Sequence, residues 1–443
     1  MKVHVIGAGL AGLTSAIRLT EAGVKVALYE AAPQAGGRVR SFFDDSLGCV
    51  VDNGTHLLLS GNDRTLAYLD TVGARDELTS PQHARLDFID LDSHERWSLV
   101  PDRGRIPFWI TRAKRRVPGT SLSDYLPVLR LATAKAEDTV TDFLKPGTLL
   151  YRRLWDPLCV SVLNTAPEEA SAQALWPVIT ATLGRGERYC RPLLARRGLS
   201  AAFVDPALAW LRSRNVPIRL GTRLDDLETS GNRVSGLLFA NADHIVPVSE
   251  KDRVILAMPS HALKQLLPRT PLPDRYNVIA NVHYRLPDTH PVTHNGDFPM
   301  SLLRNPADWM FVNGQLVSLT ISNAGFLNNE PADALAARLW TGTAQALELQ
   351  GLAPAGSLTA LPCPPFRVIR ERRATMAQTP GQMALRQGPR TLHPNVFLAG
   401  DWTDTGLPST IEGAVRSGET AAALVQKILG ANGTAAAPAG IGR

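Results

Sequence analysis

The chain has 443 residues, of which 44% are hydrophobic and 20% charged, which predicts a globular protein of two or three domains. No window reaches the roughly 18 uninterrupted apolar residues of a transmembrane helix. The net charge of +6 is too small for a dedicated nucleic-acid binder, and no RNA- or DNA-binding motif is present. The four cysteines lie far apart and no metal-ligand spacing occurs, which predicts buried, reduced thiols in a cytoplasmic protein and no bound metal.

The first thirty residues predict a βαβ unit that binds a dinucleotide. A strand from Lys2 to Ile6 leads into a glycine-rich turn, a helix runs from Leu13 to Ala22, and a second strand ends at Glu30. Gly7 permits the tight turn, Gly9 lets backbone N–H groups approach a pyrophosphate, and Gly12 allows helix and strand to pack closely. Glu30 can accept both hydroxyls of an adenosine ribose. The predicted contacts of this unit are Gly7, Gly9, Leu10, Ala11, Gly12, Glu30 and Ala31.

Two stretches after this unit are unusual. Gly36-Gly37-Arg38 follows Glu30 closely and suits a second approach to the pyrophosphate. Residues 52–62 read DNGTHLLLSGN, in which an acid, an amide and a histidine run directly into three leucines. Buried strands rarely begin with so many polar groups, and surface loops rarely carry such leucines.

The positive charge is concentrated in two basic sets. Arg103, Arg105, Arg112, Lys114, Arg115 and Arg116 flank Phe108 and Trp109, and a second set lies at Arg185, Arg188, Arg191, Arg196 and Arg197. Two interpretations stay open. The sets form solvated faces, or the aromatic and basic side chains lie in the headgroup layer of an anionic membrane.

Residues 396–418 predict a second cofactor element far along the chain. A strand from Val396 to Ala399 ends in Gly400-Asp401, and a helix begins near Ser409-Thr410 with Glu412 in its first turn. Asp401 can bond a ribityl chain or pyrophosphate, and the helix N-terminus can direct N–H groups at a flavin pyrimidine. An ordinary Asp-capped turn is the alternative. The predicted contacts are Gly400, Asp401, Thr410 and Ile411.

These motifs together resemble the FAD-dependent amine oxidase and phytoene desaturase superfamily. Four stretches, DNGTHLLLSGN, NVHYRL, TPGQ and FLAGDWTDTGLPSTIEGAVRSGE, are similar to hydroxysqualene dehydroxylases, the squalene-associated FAD-dependent desaturases, and the likeness runs from residue 1 to about 425. The resemblance implies an α/β fold with a Rossmann-like FAD-binding domain and an inserted α+β substrate domain. We expect the FAD domain in 1–75, 195–262 and 390–430, the substrate or lid domain in 76–194 and 263–389, and a disordered tail at 431–443.

The resemblance also implies a reaction in hopanoid synthesis, in which hydroxysqualene and reduced FAD give squalene, oxidised FAD and water. Such a site needs one proton donor, a chamber for a C30 hydrocarbon and exclusion of water that would recapture an allylic cation. In this fold Asn53, Gly54, Thr55 and His56 would face the flavin, Leu57 and Leu59 the core or substrate, and Leu224 the adenine. Expected partners are the substrate, upstream squalene-synthesis enzymes and the cytoplasmic membrane surface.

The proton donor stays open at this level. His56 is one candidate, although it could equally bond the flavin or backbone, or simply pack, and Asp404 and Glu412 are others. Two competing functions also remain. One is an oxidising relative, either a carotenoid-type desaturase or an amine oxidase, and the other is a prenyl-protein carrier like the Rab GDP-dissociation inhibitors. Glu30, Gly36-Gly37-Arg38 and Gly400-Asp401 argue against a carrier, which has no reason to keep an FAD cradle.

Overall fold

The computed structural model describes residues 1–240, 245–290, 292 and 298–434. Its strands are β1 Val3–Ile6, β2 Val26–Tyr29, β3 Ser41–Asp44, β4 Cys49–Asp52, β5 Leu58–Leu59, β6 Leu78–Thr79, β7 Leu86–Asp90, β8 Arg96–Leu99, β9 Pro192–Ala195, β10 Ile218–Arg219, β11 Leu224–Ser230, β12 Arg233–Phe239, β13 Val246–Pro247, β14 Arg253–Leu256, β15 Tyr276–Arg285, β16 Phe298–Leu303, β17 Trp309–Asn313, β18 Leu316–Ile321, β19 Phe366–Met376 and β20 Val396–Leu398. Its α-helices are α1 Leu10–Glu21, α2 Asp63–Val72, α3 Asp156–Leu163, α4 Ala172–Ala181, α5 Asp205–Arg212, α6 Ser260–Leu266, α7 Ala332–Leu349, α8 Pro380–Ala384 and α9 Ile411–Thr434.

A parallel five-stranded sheet forms the first domain. Its order is β10-β2-β1-β14-β20, and each of these strands falls within one of the three segments expected for the FAD domain. Helices α1, α2, α5 and α9 cover one face of this sheet and share an apolar core with it. The three-stranded β11-β12-β13 sheet and α6 cover the other face. Strands buried on both faces explain why β1 and β14 are almost wholly apolar.

A mixed seven-stranded sheet forms the second domain, in the order β19-β15-β18-β17-β16-β7-β8. Its strands come from the two segments expected for the inserted domain, and β16 pairs with β7 in parallel across more than 200 residues of sequence. Helix α7 covers one face with a core that includes Ala280, Val282 and Tyr284. The helical segments of the first insert, including α3 and α4, form a separate core that Phe88 and Leu303 join from the sheet.

Several predicted boundaries differ from the structure. Helix α1 begins at Leu10, three residues before the predicted start, because Gly9 is its N-cap. The segment Leu122–Thr133 of the first insert is a 3-10 helix with Pro127 inside it. Proline cannot donate to an α-helical ladder, which favours the tighter turns. Helix α9 continues to Thr434, four residues into the predicted tail, and 435–443 lies outside the described residues.

The cysteines are free, and Cys159 and Cys190 are buried as expected. Cys49 and Cys363 are only partly buried, so the expectation of four buried thiols was wrong for these two. Cys49 lies on the two-stranded β3–β4 sheet, where one side faces solvent. Among the described residues, no helix has the length and apolarity needed to cross a bilayer.

Candidate active site

The glycine turn after β1 is tightly built except at one position. Gly7 has a φ of +105°, and a Cβ there would lie 2.3 Å from the Ala257 carbonyl oxygen. A Cβ on Gly12 would lie 1.8 Å from the Gly7 carbonyl oxygen, whereas a Cβ on Gly9 would meet nothing within 4 Å. Gly7 and Gly12 are therefore required by the fold itself. The open side of Gly9, at the N-terminus of α1, is where a ligand can approach the backbone.

Glu30 lies at the end of β2 beside this turn. Its Oε2 accepts a hydrogen bond from the Ala8 N–H at 2.7 Å, and Oε1 accepts one from the Ala32 N–H at 2.9 Å. Each carboxylate oxygen keeps a further lone pair that can accept a hydroxyl. Ala31 is exposed next to it, while Leu10 and Ala11 are buried in α1, so their contribution is through the backbone.

The second glycine pair closes over the first turn. Gly36 adopts a φ of +108°, and its N–H donates to the Ala8 carbonyl at 2.8 Å. A Cβ on Gly37 would lie 3.5 Å from the Gly9 Cα, so the two turns face each other directly. Both motifs predicted to grip a pyrophosphate thus meet at one place.

Arg38 connects this place to the far end of the chain. Its guanidinium donates to the Asp401 carboxylate at 2.6 Å and to the Ala374 carbonyl of β19. Asp401 follows β20 and is buried, whereas the Arg38 side chain keeps 42% of its surface accessible. The residue Gly400 has a φ of +151° and donates its N–H to Ser417 in α9. The predicted convergence of N-terminal and C-terminal motifs is present in the structure.

The N-terminus of α9 packs against α1 and α2. A Cβ on Gly418 would lie 2.3 Å from the Ala11 carbonyl oxygen, so the backbones of α9 and α1 are in contact. Glu412 accepts the N–H groups of Arg64 and Thr65 and the Thr65 hydroxyl, at 3.0, 2.8 and 2.6 Å, and thereby caps α2. Thr410, which is partly buried, and Ile411, which is buried, lie at the start of α9.

The polar part of residues 52–62 touches the second domain. Asn53 is buried, accepts from Arg40 at 3.0 Å and donates to Glu371 of β19 at 3.3 Å. A Cβ on Gly54 would lie 3.0 Å from the Asn281 side-chain nitrogen in β15. The Asp52 carbonyl lies 3.1 Å from Nε2 of His283 in the same strand. This stretch therefore lies between the cofactor turns and the sheet of the inserted domain.

His56 is exposed on the polar stretch that follows β4. Desolvation by the surrounding protein is the main cause that lowers its pKa, while a hydrogen bond with the Gly54 backbone opposes the shift and the Arg38 charge adds to it. The lowered pKa keeps the ring uncharged near neutral pH.

The other predicted residues take separate positions. Thr55, Leu57 and Leu59 are partly buried, and Leu58 joins the core of the first domain. Leu224 is buried at the start of β11 with its side chain in the core between hairpin and sheet, which leaves its backbone for a contact. Asp404 is exposed on the loop after β20, where its carboxylate accepts from the Gly406 N–H at 3.3 Å.

Four further residues near these motifs were not predicted from the sequence. Asn281 and His283 lie on β15, Glu371 lies on β19, and Arg386 is buried and donates to the carbonyls of Asp401, Thr403 and Leu407. Asn281 and His283 belong to NVHYRL, a motif used only for resemblance. Polar residues at alternate positions of an apolar strand signal one face that meets a polar site.

The residues gathered at this place fit a flavin dinucleotide. The open backbone at Gly9, the acceptor capacity of Glu30 and the accessible Arg38 side chain beside Asp401 are the groups that a pyrophosphate, ribose and ribityl chain require. The fold and these residues therefore define a dinucleotide-binding flavoprotein, with a Rossmann-like parallel sheet and a second, mixed sheet.

Comparison with known proteins agrees with this class. The model of the family described as "Flavin containing amine oxidoreductase" matches residues 10–426. The chain is 43% identical to "Hydroxysqualene dehydroxylase" of Rhodopseudomonas palustris over 425 residues, covering 96% of this chain and 98% of that protein. It is 40% identical to the protein of that name from Sinorhizobium fredii, covering 95% and 97%. The solved structure of cyclohexylamine oxidase from Brevibacterium oxydans has the same fold, with a TM-score of 0.66, 16% identity, and coverage of 97% and 99%.

The chain belongs to the flavin containing amine oxidoreductase family and, within it, to the hydroxysqualene dehydroxylases. It is an enzyme, an oxidoreductase, and its cofactor is FAD. The residues that would hold FAD are the two glycine turns, Glu30, Arg38, Asp401 and the N-terminus of α9.

Proposed function

We propose that this enzyme removes the hydroxyl group of hydroxysqualene reductively and releases squalene. The observation that carries the proposal is the contact of Gly54 with Asn281, which sets the cofactor-facing stretch directly against the sheet of the inserted domain. The 43% identity to a protein named for this activity supports the same conclusion.

The reaction fixes what the protein must supply. Protonation of the allylic hydroxyl breaks the C–O bond and releases water, and the carbon then gains a hydride to form a C–H bond. Bound in reduced form, FAD supplies that hydride. The protein's own residues must bind a C30 chain, keep water away from an allylic cation and deliver one proton to the leaving oxygen.

One face of the sheet of the inserted domain is suited to line the substrate chamber. In β15 and β17 alternate residues such as Val282 and Met310 join the α7 core, so Asn281 and Trp309 take the opposite face, towards the first-insert helices. Trp309 stacks with Phe311 at a centroid distance of 6.3 Å, and its Nε1 donates to Ser161 of α3 at 2.9 Å. Aromatic faces stabilise cations, so the aromatic side chains on this face of the sheet are suited to stabilise an allylic cation.

The candidates for the proton donor differ in their surroundings. Glu412 already accepts three hydrogen bonds as the cap of α2. Asp404 is exposed on its loop, where water would compete with the substrate. His56 lies beside Gly54 and Arg38, but its lowered pKa leaves it without the extra proton near neutral pH. These positions favour His56 as a hydrogen-bonding group for the cofactor.

We propose Asp308 as the donor. Its carboxylate accepts from the Ser322 N–H at 2.5 Å, and its backbone N–H donates to the Thr320 carbonyl at 2.9 Å. Thr320 in turn donates its hydroxyl to Asn281 at 2.9 Å, so the backbone of Asp308 lies two strands away from the strand that contacts Gly54. With strands about 4.8 Å apart, Asp308 lies roughly 10 Å from Asn281. Burial raises the pKa of Asp308 to about 7, against the hydrogen bonds from Ser322, and the charge of Asp156 in α3 raises it further. A carboxyl group with a pKa of about 7 is half protonated at pH 7, so it can serve as an acid near neutral pH.

The decisive experiment is an anaerobic incubation of the FAD-loaded enzyme, reduced chemically, with hydroxysqualene. Mass spectrometry should detect squalene in an amount equal to the reduced flavin. Enzyme with oxidised FAD serves as the control and should give none. Yellow, folded enzyme that yields no squalene after reduction would refute this function. Oxidised enzyme that instead dehydrogenates a carotenoid precursor or an amine would establish the competing function.

The proposed substrate also suggests a location. Hydroxysqualene is a hydrocarbon chain with one hydroxyl group, so it partitions into bilayers. We therefore propose that the enzyme works on the cytoplasmic surface of the membrane, beside the upstream enzymes of squalene synthesis.

A further inference from the structure

The first insert carries a concentration of exposed apolar side chains. Ile106 is 62% exposed, Phe108 57%, Leu122 45%, Leu126 58% and Leu129 60%. These five, the apolar face, are among twelve exposed large hydrophobic residues in the described ranges, and they lie within 24 positions of sequence. Single exposed leucines need no explanation, whereas a cluster of this size marks an interaction surface.

The two segments that carry the apolar face pack on each other. Phe108 is the first residue of a short 3-10 turn, Phe108–Thr111, and the leucines lie in the 3-10 helix Leu122–Thr133. Below the surface, the buried ring of Trp109 meets the buried ring of Tyr125 edge-on at 5.6 Å. This contact fixes the two segments against each other.

The 3-10 helix has one apolar row that is mostly buried and a second apolar row that is exposed. Its side chains repeat every three residues, so Leu122, Tyr125, Val128 and Leu131 form one row. The last three point into the helical core, whereas Leu122, the first residue of the helix, is exposed. Leu126 and Leu129 form the neighbouring row and point outward. A helix that is apolar on both its buried and its exposed rows is built to be covered on the second side.

Cations flank the first segment of the apolar face in the sequence. Arg103, Arg105, Arg112 and Lys114 are exposed, and none of them forms an ion pair within the described ranges. Arg115 differs, because it donates to Asp102 at 2.6 Å and to the Val100 carbonyl and so belongs to the fold. Unpaired cations at the edge of an apolar surface match the anionic headgroups that lie above a hydrocarbon layer.

We infer that the apolar face of Ile106, Phe108, Leu122, Leu126 and Leu129 docks the enzyme on an anionic lipid bilayer, with Arg103, Arg105, Arg112 and Lys114 in the headgroup layer. This rests on the proposed function, because an isoprenoid substrate is found in the bilayer. The buried row behind the face belongs to the same core as α3 and α4, which cover the substrate side of the second sheet. Docking here places the bilayer against this helical layer. The proposed binding site of the hydrocarbon is on the other side of the same layer.

The test is co-sedimentation of the FAD-loaded enzyme with sucrose-loaded vesicles of phosphatidylcholine, alone or with a quarter phosphatidylglycerol, at low salt. The enzyme should bind the anionic vesicles. Leu126→Asp with Leu129→Asp should weaken that binding at least ten-fold. Phe326→Asp with Leu392→Asp is the matched control, because these side chains are 69% and 67% exposed elsewhere on the surface, and it should bind as the wild type does.

A second pair of variants tests the charges. Arg105→Gln with Lys114→Gln should reduce binding to anionic vesicles about ten-fold or more, since each cation near such a surface contributes about five-fold. Arg269→Gln with Lys251→Gln, which alters exposed cations elsewhere, should leave binding unchanged. Wild-type enzyme that stays in the supernatant, or control pairs that lose as much binding as the test pairs, would overturn the inference.

Squalene formation from detergent-dispersed substrate separates this inference from the proposed function. The leucine pair should retain wild-type turnover there, because detergent replaces the bilayer. Turnover without vesicle binding would refute docking alone, whereas vesicle binding without turnover would refute the reaction alone.

Discussion

Arg38 and Asp401 form an ion pair of 2.6 Å although 363 residues separate them in the sequence. The pair joins the second glycine turn to the loop after the last strand of the parallel sheet. Because Asp401 is buried and Arg38 remains accessible, the arginine can reach a cofactor while the aspartate holds it in place.

Replacement of either partner should therefore weaken FAD retention. Arg38→Met and Asp401→Asn should each lower FAD affinity ten-fold or more, and the double variant should be little worse than either single one, because the residues act as a unit. Flavin absorbance per protein after gel filtration measures this. The exposed pair Arg223 and Asp225, at 3.0 Å, is the matched control and should have no effect. Fully additive losses would contradict the coupling.

Gly9→Ala should separate cofactor binding from folding. The new methyl group meets no protein atom within 4 Å, so the thermal midpoint of the cofactor-free protein should stay within about 1 °C of wild type. FAD affinity should fall at least ten-fold, because the methyl occupies the space of the ligand. Gly325→Ala, which also meets open space, should change neither quantity. Unchanged FAD affinity in the Gly9 variant would remove this turn from the site.

Glu30→Ala should weaken FAD binding ten-fold or more, since a hydrogen bond to a charged group is worth about 1.5–3 kcal/mol. Titration of the cofactor-free protein with FAD measures the change. Glu30→Gln should lose less, because it still accepts from one of the N–H groups of Ala8 and Ala32. Equal affinities for wild type and the alanine variant would refute the ribose assignment.

His56→Gln should keep single-turnover activity within about ten-fold of wild type. The lowered pKa leaves His56 neutral, so a neutral amide preserves its hydrogen bonding to the cofactor. Anaerobic rapid mixing with hydroxysqualene provides the rate. A loss of ~10²–10⁴-fold with flavin still bound would instead restore His56 as the acid.

Asp308→Asn should lose ~10²–10⁴-fold in the same assay while retaining FAD. The wild-type rate should fall about ten-fold per pH unit above the pKa of about 7, whereas the residual rate of the variant should not follow this profile. Asp156→Asn removes a charge that raises the Asp308 pKa, so the rate should begin to fall at a lower pH than in the wild type. A variant at position 308 with full activity would exclude it as donor.

A stability measurement complements that test. The Asp308 pKa is raised from 3.8 to about 7, so the unfolded state ionises first and stability should decline between these two pH values. Asp308→Asn should show a smaller decline over that window, by thermal denaturation. An equal decline in the stability of wild type and variant would show that burial does not shift the pKa of this carboxyl group.

The cofactor half of the site could be predicted from sequence because its chemistry is local. Glycines at 7, 9 and 12 and the acid at 30 act through turn geometry and backbone approach, which short-range spacing encodes. The parallel pairing of β16 with β7 brings Met300 opposite Asp87, and no local pattern specifies such a partner. The roles of Asn281 and Asp308 depend on that sheet and therefore required the structure.

The two apolar rows of the segment Leu122–Thr133 also required the structure. The apolar spacing there is compatible with an α-helix, yet Pro127 and the three-residue repeat produce a 3-10 helix with a second apolar row outside. A hydrophobicity pattern reports which residues avoid water, and it does not tell a protein core from a lipid surface.

The parallel sheet is assembled from chain segments that leave the ribosome at very different times, with β1 first and β20 after nearly four hundred residues. A nascent chain therefore exposes the unpaired edge of β14 and one side of α1 until α9 arrives. Because Arg38 pairs with Asp401 after β20, the cofactor site is complete only after about 400 residues have been synthesised. FAD binding therefore follows the pairing of β20 and cannot guide the folding of the first βαβ unit during synthesis.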